Sequence, residues 1–413
     1  LMRRTCLSVC ALLVAIVPAL APADEWPGFL GSRRDGISEE TGLIDAIPAG
    51  GPKPIWRVPG GVGMSAVAVA DGLAVTTWND AGKQWLVALD AATGKEAWKT
   101  PLGPAYENGQ GNGPRATPTI AEERVFAFSG EGILVAVSRT DGKILWQVDA
   151  VGEAKAKPSD YGMASSPLVV AEQVIVHVGG ADGAIAAFSI ADGKPAWKAS
   201  AGSAGYSSPT LLEIGGTETI VSVTGTEVVG LRPGSGKALW RFPFETDFGC
   251  NTATPIVVDG GVFVSAGENH GSVLIDLQRD GDVYAPQARW ESLGPKSLMR
   301  NEWQTSIVVG DHLYGFDNVG AAGPVTHLVC LEAKTGREVW RKPRFGKGNM
   351  VWADGKLWIT TFEGELVLAR ATPAGYQELG RAELLGRSRQ SLTIAGGRGY
   401  VRDDREVLCI GLE

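Results

Sequence analysis

Positive charge is in short supply in this chain. Lys and Arg number 38 against 46 Asp and Glu, giving a formal net charge of −8 and a pI near 5.3. A protein that wraps nucleic acid needs a basic face to displace counterions, so that class is set aside. Histidine is scarcer still: the four (His177, His270, His312 and His327) stand at no metal-ligand spacing. Gly267-Glu-Asn-His-Gly271 therefore reads as a polar hairpin tip. There is no Gly-x-Ser-x-Gly nucleophile turn and no phosphate-binding loop. Long apolar runs are missing too. The uncharged stretch from Leu7 to Leu20 counts 14 residues with Pro18 inside it, too short to span a bilayer.

That short stretch follows Arg3 and Arg4 and precedes Ala21-Pro22-Ala23, a small-x-small cleavage pattern. Residues 1–23 thus read as an export signal, with Asp24 the first mature residue and the periplasm or cell envelope the destination. Arg3-Arg4-Thr-Cys-Leu fits the twin-arginine pattern poorly. Cys10 precedes most of the apolar stretch, so lipidation there is rejected. Removal of the signal takes Cys6 and Cys10 and leaves Cys250, Cys330 and Cys409, an odd set. No two cysteines are adjacent anywhere.

What the chain has in abundance is glycine, 56 residues of it, and the glycines recur in register. Five times a turn of the form x-Thr/Asp/Ser-Gly-Lys/Arg is followed four residues later by Trp: Gly94 with Trp98, Gly142 with Trp146, Gly193 with Trp197, Gly236 with Trp240, Gly336 with Trp340. An alternating apolar run such as Leu134-Val-Ala-Val-Ser138 precedes each turn. Ser/Thr-Pro announces the next unit at Thr117-Pro118, Ser166-Pro167, Ser208-Pro209 and Thr254-Pro255, where Pro needs no ladder donor. Short strands and tight turns recurring at this period are the pattern of β-propeller blades.

Counting last strands by Trp56, Trp98, Trp146, Trp197, Trp240, Trp290, Trp340 and the segment Leu379 to Glu383 gives eight. Two units are degenerate: an insertion separates Gly281 from Trp290, and Leu379 stands where the seventh Trp is expected. Pro54-Ile-Trp-Arg-Val58 is a last strand without three before it, and the C-terminus is three strands without a last. The reading is an all-β, eight-bladed propeller of four-stranded antiparallel blades over residues 51–413, closed by pairing of its N- and C-terminal strands. Residues 24–50 form an N-terminal extended segment, of which Asp24 to Gly36 is expected to cover the outside of the ring. The seven Trps are assigned to docking adjacent blades. Cys330 and Cys409 fill the slot held elsewhere by Ala88, Ala136, Ala187 and Gly230, a tight buried position where thiol acts as a small apolar group.

The unit Ala88-Leu-Asp-Ala-Ala-Thr-Gly-Lys-Glu-Ala-Trp98 resembles the pyrroloquinoline-quinone (PQQ) propeller repeat, and the resemblance runs from Trp56 to Leu412. The opening Trp26-Pro-Gly-Phe-Leu-Gly31 also looks like the start of exported bacterial members. The resemblance implies an eight-bladed ring. It also implies one of two functions: a quinoprotein dehydrogenase holding PQQ and calcium in the central funnel, or a non-enzymatic member similar to the propeller lipoprotein of the outer-membrane barrel assembly machinery. The dehydrogenase branch calls for a calcium set, long insertions over the ring and often paired cysteines. Glu302, Asn251 and Asp247 are the available calcium candidates, while the cysteine pair and long insertions are missing.

Loops leading into the innermost strands should meet at one mouth of the ring. They supply Asn112, Arg115, Tyr161, Tyr206, Asn251, Arg300, Asn301, Trp303, Gln304 and Arg389. Arginine recognises carboxylate or phosphate, and aromatic faces stack on rings or sugars. These residues point to an exported binding propeller without catalysis or a cofactor, taking a small anionic or polyhydroxylated ligand or a cell-envelope protein partner. The alternative is a PQQ- and calcium-dependent dehydrogenase of alcohols or sugars.

Overall fold

A computed structural model of the chain describes residues 25–321 and 323–413. The expected export signal lies outside them. Eight four-stranded antiparallel sheets surround a central axis, seven of them built in chain order from an innermost strand A to an outermost strand D. Blade 1 comprises Ala68–Ala70, Leu73–Asp80, Lys83–Asp90 and Glu96–Pro104. Blade 8 is composite. Its strands A to C are Thr393–Ala395, Arg398–Arg402 and Glu406–Gly411, and its strand D is Pro54–Pro59 from the other end of the chain. The closing ladder sets Trp56 opposite Cys409 and Val58 opposite Val407. Eight blades and the two-ended closure therefore stand as the repeat count required.

The ladder registers explain the small slot. Ala88 lies opposite Trp98, Ala136 opposite Trp146, Ala187 opposite Trp197, Gly230 opposite Trp240, Cys330 opposite Trp340 and Cys409 opposite Trp56. A bulge sits beside each of these pairs on strands C and D of blades 1 to 4 and 6, re-aiming the indole along the sheet. A small residue is what leaves room for it. The indole then reaches the Thr/Asp/Ser-Gly turn of the following blade. A Cβ placed on Gly142 would fall 2.6 Å from Trp98, and one on Gly94 would fall 2.7 Å from Trp56. These glycines also hold φ near +70°, so close approach and backbone conformation both demand them. Trp98 Nε1 donates to the Arg139 carbonyl at 2.8 Å, and Trp56, Trp146, Trp290 and Trp340 repeat the bond to Ala91, Ile190, Ala333 and Thr372.

The degenerate units keep the joint by other means. Strands C and D of blade 5, Gly271–Asp280 and Val283–Leu293, form a long hairpin in place of the usual turn. Its Tyr284 packs against blade 4 and donates to the Ile214 carbonyl at 3.3 Å, while the buried Trp240 Nε1 has no partner among the described residues. In blade 7 Gly380, not Leu379, holds the Trp position, opposite Leu368 with the bulge beside it. Ile47, whose N–H bonds the Leu379 carbonyl at 3.1 Å, fills the space over Gly380.

The Ser/Thr-Pro signals form a second joint near the axis. The Thr117 hydroxyl accepts from Ala66 N, Ser166 from Thr117 N, Ser208 from Ser166 N and Thr305 from Thr254 N. The innermost strands of blades 2, 3, 4 and 6 are thus latched to the blade before them.

The N-terminal segment overturns the expectation that it covers the outside. It runs across the axis. Trp26 pairs with Val69 of blade 1, and the Pro27 carbonyl accepts from Ile120 of blade 2. Ile37 bridges to Trp352 of blade 7. Between them Arg34, 5% exposed, donates to the carbonyls of Ser166, Pro167 and Pro209 in blades 3 and 4. Those prolines start strand A and leave carbonyls pointing at the axis, where only a long, multi-donor side chain can reach several at once. The strap closes one end of the channel.

Candidate functional site

With one end closed by the strap, the ring encloses a cavity of about 580 Å³ at its centre. The loops entering strand A of all eight blades supply its wall, as expected of the mouth. Met64 comes from blade 1, Arg115 from blade 2, Tyr161 from blade 3, Tyr206 from blade 4, Cys250 from blade 5, Trp303 from blade 6, Lys347 from blade 7 and Arg389 from blade 8. Phe29 of the strap also lines it.

Of the ten residues proposed from sequence, Arg115, Tyr161, Tyr206, Trp303 and Arg389 line the cavity. The other five do not. Asn112 is exposed and caps its own loop by accepting from Asn108 N at 3.0 Å. Asn251 is buried and its amide donates to the carbonyls of Thr224 and Phe244. Arg300 is buried against Asp317, with Nε–Oδ1 2.6 Å and Nη2–Oδ2 2.9 Å. Asn301 bonds Ser306 Oγ at 2.8 Å, and Gln304 bonds Asn301 Oδ1 at 2.8 Å. The stretch 300–304 therefore divides its labour: Arg300, Asn301 and Gln304 lock the loop, and Glu302 and Trp303 between them face the cavity.

The wall is chemically sided. Tyr161 and Tyr206 stack with centroids 5.5 Å apart and planes 28° off parallel. Trp303 lies under two cations, Lys347 Nζ at 4.7 Å and the Arg389 guanidinium at 4.9 Å from the ring centre. Lys347 also bonds Glu302 Oε2 at 2.5 Å. Burial pushes the Glu302 carboxyl above the usual carboxylate range, opposed by that ammonium. Burial pushes the Cys250 thiol up to about 11, aided by Glu268 and Glu302, so it is neutral at physiological pH and a poor nucleophile.

Phe29, Glu268 and Phe248 stand out among the lining residues that sequence reasoning did not single out. Phe29 belongs to the strap, outside the repeat, and only its apolar Trp-Pro-Gly-Phe-Leu setting in a linker hinted at burial. Glu268 sits on the Gly267–Gly271 hairpin tip. Phe248 stands two residues from Cys250, 75% exposed and held at φ 61°, a left-handed conformation rarely adopted by an aromatic residue.

The calcium set required for a quinone enzyme does not come together. Asn251 is spent on backbone carbonyls, Glu302 is ion-paired and Asp247 is exposed. Among the described residues no group of three or more acidic, His or Cys side chains is arranged to hold a metal ion. The three calcium candidates read from the sequence thus do not converge on one site.

Fold and repeat together define an eight-bladed propeller of the PQQ-like type. The family model described as outer membrane protein assembly factor BamB matches residues 40–159 and 82–342, and the chain belongs to that family. The assembly factor BamB of Shewanella oneidensis is 25% identical over 236 residues, which make up 55% of this chain and 56% of that protein. The chain thus matches little more than half of that relative's length. Among solved structures, BamB from Moraxella catarrhalis superimposes with TM-score 0.59 at 16% identity, covering 87% of this chain and 98% of that one. The quinohemoprotein alcohol dehydrogenase of Comamonas testosteroni superimposes with TM-score 0.69 at 14% identity, covering 94% and 80%. At such identities both structures speak to the fold alone.

Proposed function

We propose that this chain is an exported, non-catalytic propeller of the cell envelope that docks a protein partner during outer-membrane protein assembly. The family supplies the setting, and the scattered calcium candidates weigh against a quinone enzyme. Phe248 is the observation that carries docking. Its side chain, 75% exposed on the cavity rim and the most exposed large apolar residue among the described residues, offers a partner an aromatic anchor. The stacked Tyr161–Tyr206 pair beside the same mouth offers a partner more aromatic surface.

The test is expression of the chain in a Shewanella oneidensis strain lacking its own assembly factor, reading the amount of folded outer-membrane protein. Restoration is expected, and Phe248→Ala should weaken it while leaving thermal unfolding unchanged. Failure to restore, or an unimpaired Phe248→Ala variant, overturns the reading. So does dye reduction on an alcohol after loading purified protein with PQQ and Ca²⁺.

A further inference from the structure

We propose that the central cavity seats an anionic sugar, a ring carrying one carboxylate or phosphate beside its hydroxyls. No protein partner is required for this, so it stands apart from the docking role.

The anion follows from two guanidiniums. Arg115, from the blade 2 loop, and Arg389, from the blade 8 loop, grip consecutive carbonyls of one segment: Arg389 Nη1 donates to Gln110 O at 2.5 Å and Arg115 Nη2 to Gly111 O at 2.7 Å. Side by side they repel each other, and burial holds both below the ordinary arginine range. Among the described residues neither forms an ion pair, and Glu131 and Asp404 act on them only through space. Partly buried charge of one sign without a counter-charge is unfavourable, and an anion lodged between the two would relieve it. Each nitrogen of Arg115 already holds a carbonyl, with Nε on Tyr161 and Nη1 on Gly113 besides Nη2 on Gly111. Arg389 is the one with donors to give. Beyond Gln110 O its guanidinium meets, among the described residues, only Met64 Sδ and the faces of Trp303 and Phe362.

The sugar follows from the rest of the wall. Ser391 Oγ and Thr252 Oγ1 belong to lining residues, and both atoms are buried without a hydrogen-bond partner among the described residues. Ser391 is 5% exposed, two residues from Arg389; Thr252 stands on blade 5, across the ring. Buried hydroxyls in native proteins are nearly always paired, and a turn of either side chain toward the cavity would pair these two with a ligand that carries several hydroxyls. Tyr161 offers an aromatic face for the apolar side of a sugar ring. A cavity of about 580 Å³ takes a mono- or disaccharide with ease. A bare inorganic anion would leave the hydroxyls and aromatics unused.

Isothermal titration of the full chain at low ionic strength tests this with D-glucuronate, D-glucose 6-phosphate, D-glucose and acetate. One of the two acidic sugars is expected to bind at least about tenfold more tightly than glucose or acetate. Which of them is tighter tells carboxylate from phosphate. The bound sugar should also slow alkylation of Cys250, since Cys330 and Cys409 are fully buried. Arg389→Gln should weaken binding about tenfold or more. Ser391→Ala should weaken it about threefold with unchanged thermal unfolding, so the proposal stays falsifiable even if the first variant folds poorly. Glucose or acetate matching the acidic sugars would overturn the proposal. So would the lack of both heat and Cys250 protection from either acid, or Arg389→Gln and Ser391→Ala proteins that fold and bind as well as wild type.

Discussion

Trp146 and Trp240 occupy equivalent positions yet differ in one bond, and the difference is measurable. Both are buried, but Trp146 Nε1 donates to the Ile190 carbonyl at 2.9 Å whereas Trp240 Nε1 has no partner among the described residues. Trp146→Ala should cost about 3–5 kcal/mol, the usual loss for a buried large aromatic. The telling comparison is with Phe. Trp146→Phe forfeits the hydrogen bond as well as volume and should cost about 1–2 kcal/mol more than Trp240→Phe in denaturant unfolding. Equal losses would mean that the joint is made by packing alone. His177 supplies the pH dependence. Burial pushes its imidazole down to about 4, while the unfolded chain protonates it near the ordinary value of 6.5. A base depressed in the folded state contributes full stability above its unfolded pKa, so stability should fall as pH drops from 6.5 toward 4 and level below that. His177→Gln should remove that slope, as read from midpoints across a pH series.

The strap from Trp26 to Ile37 is an element no repeat pattern could reveal. Periodicity reports blades because each blade repeats the packing problem of its neighbour; a segment used once leaves no period. Hence the Trp joints, the small slot with Cys330 and Cys409, the Ser/Thr-Pro starts and the eightfold count were legible, and the channel plug was not. The cavity wall was half legible for a related reason. Loop position fixes which residues reach the mouth, but whether a side chain turns to the cavity or back onto its own loop depends on local partners, as with Asn251 on Phe244 O or Arg300 on Asp317. Arg34 gives the strap its test. Arg34→Ala leaves the carbonyls of Ser166 and Pro209 without a donor in a dry setting, and that of Pro167 with the Thr119 hydroxyl alone, and should cost about 3 kcal/mol. Deletion of residues 25–36 should destabilise at least as much. Either variant melting like wild type would show that the channel is sealed without the strap.

At the scale of the molecule, stability rests on closure of the ring. A chain beginning at Gly51 retains Pro54–Pro59, whereas one beginning at Gly60 leaves the outer edge of the Glu406–Gly411 strand unpaired along with the apolar face that Trp56 covers. The shorter chain should aggregate and unfold at lower temperature than the longer one; equal melting and solubility would contradict the composite blade. Closure also imposes an order in time. The strand at residue 54 waits for a partner at residue 410, so the ring stays open until nearly the whole polypeptide has arrived in one compartment. The strap's partners lie on blades 1, 2, 3, 4 and 7, so its seat is complete only once those blades stand around the axis. Translocation with the N-terminus leading would deliver the plug before the wall. A polypeptide cut short on the way would keep a sticky edge, marking itself for proteolysis.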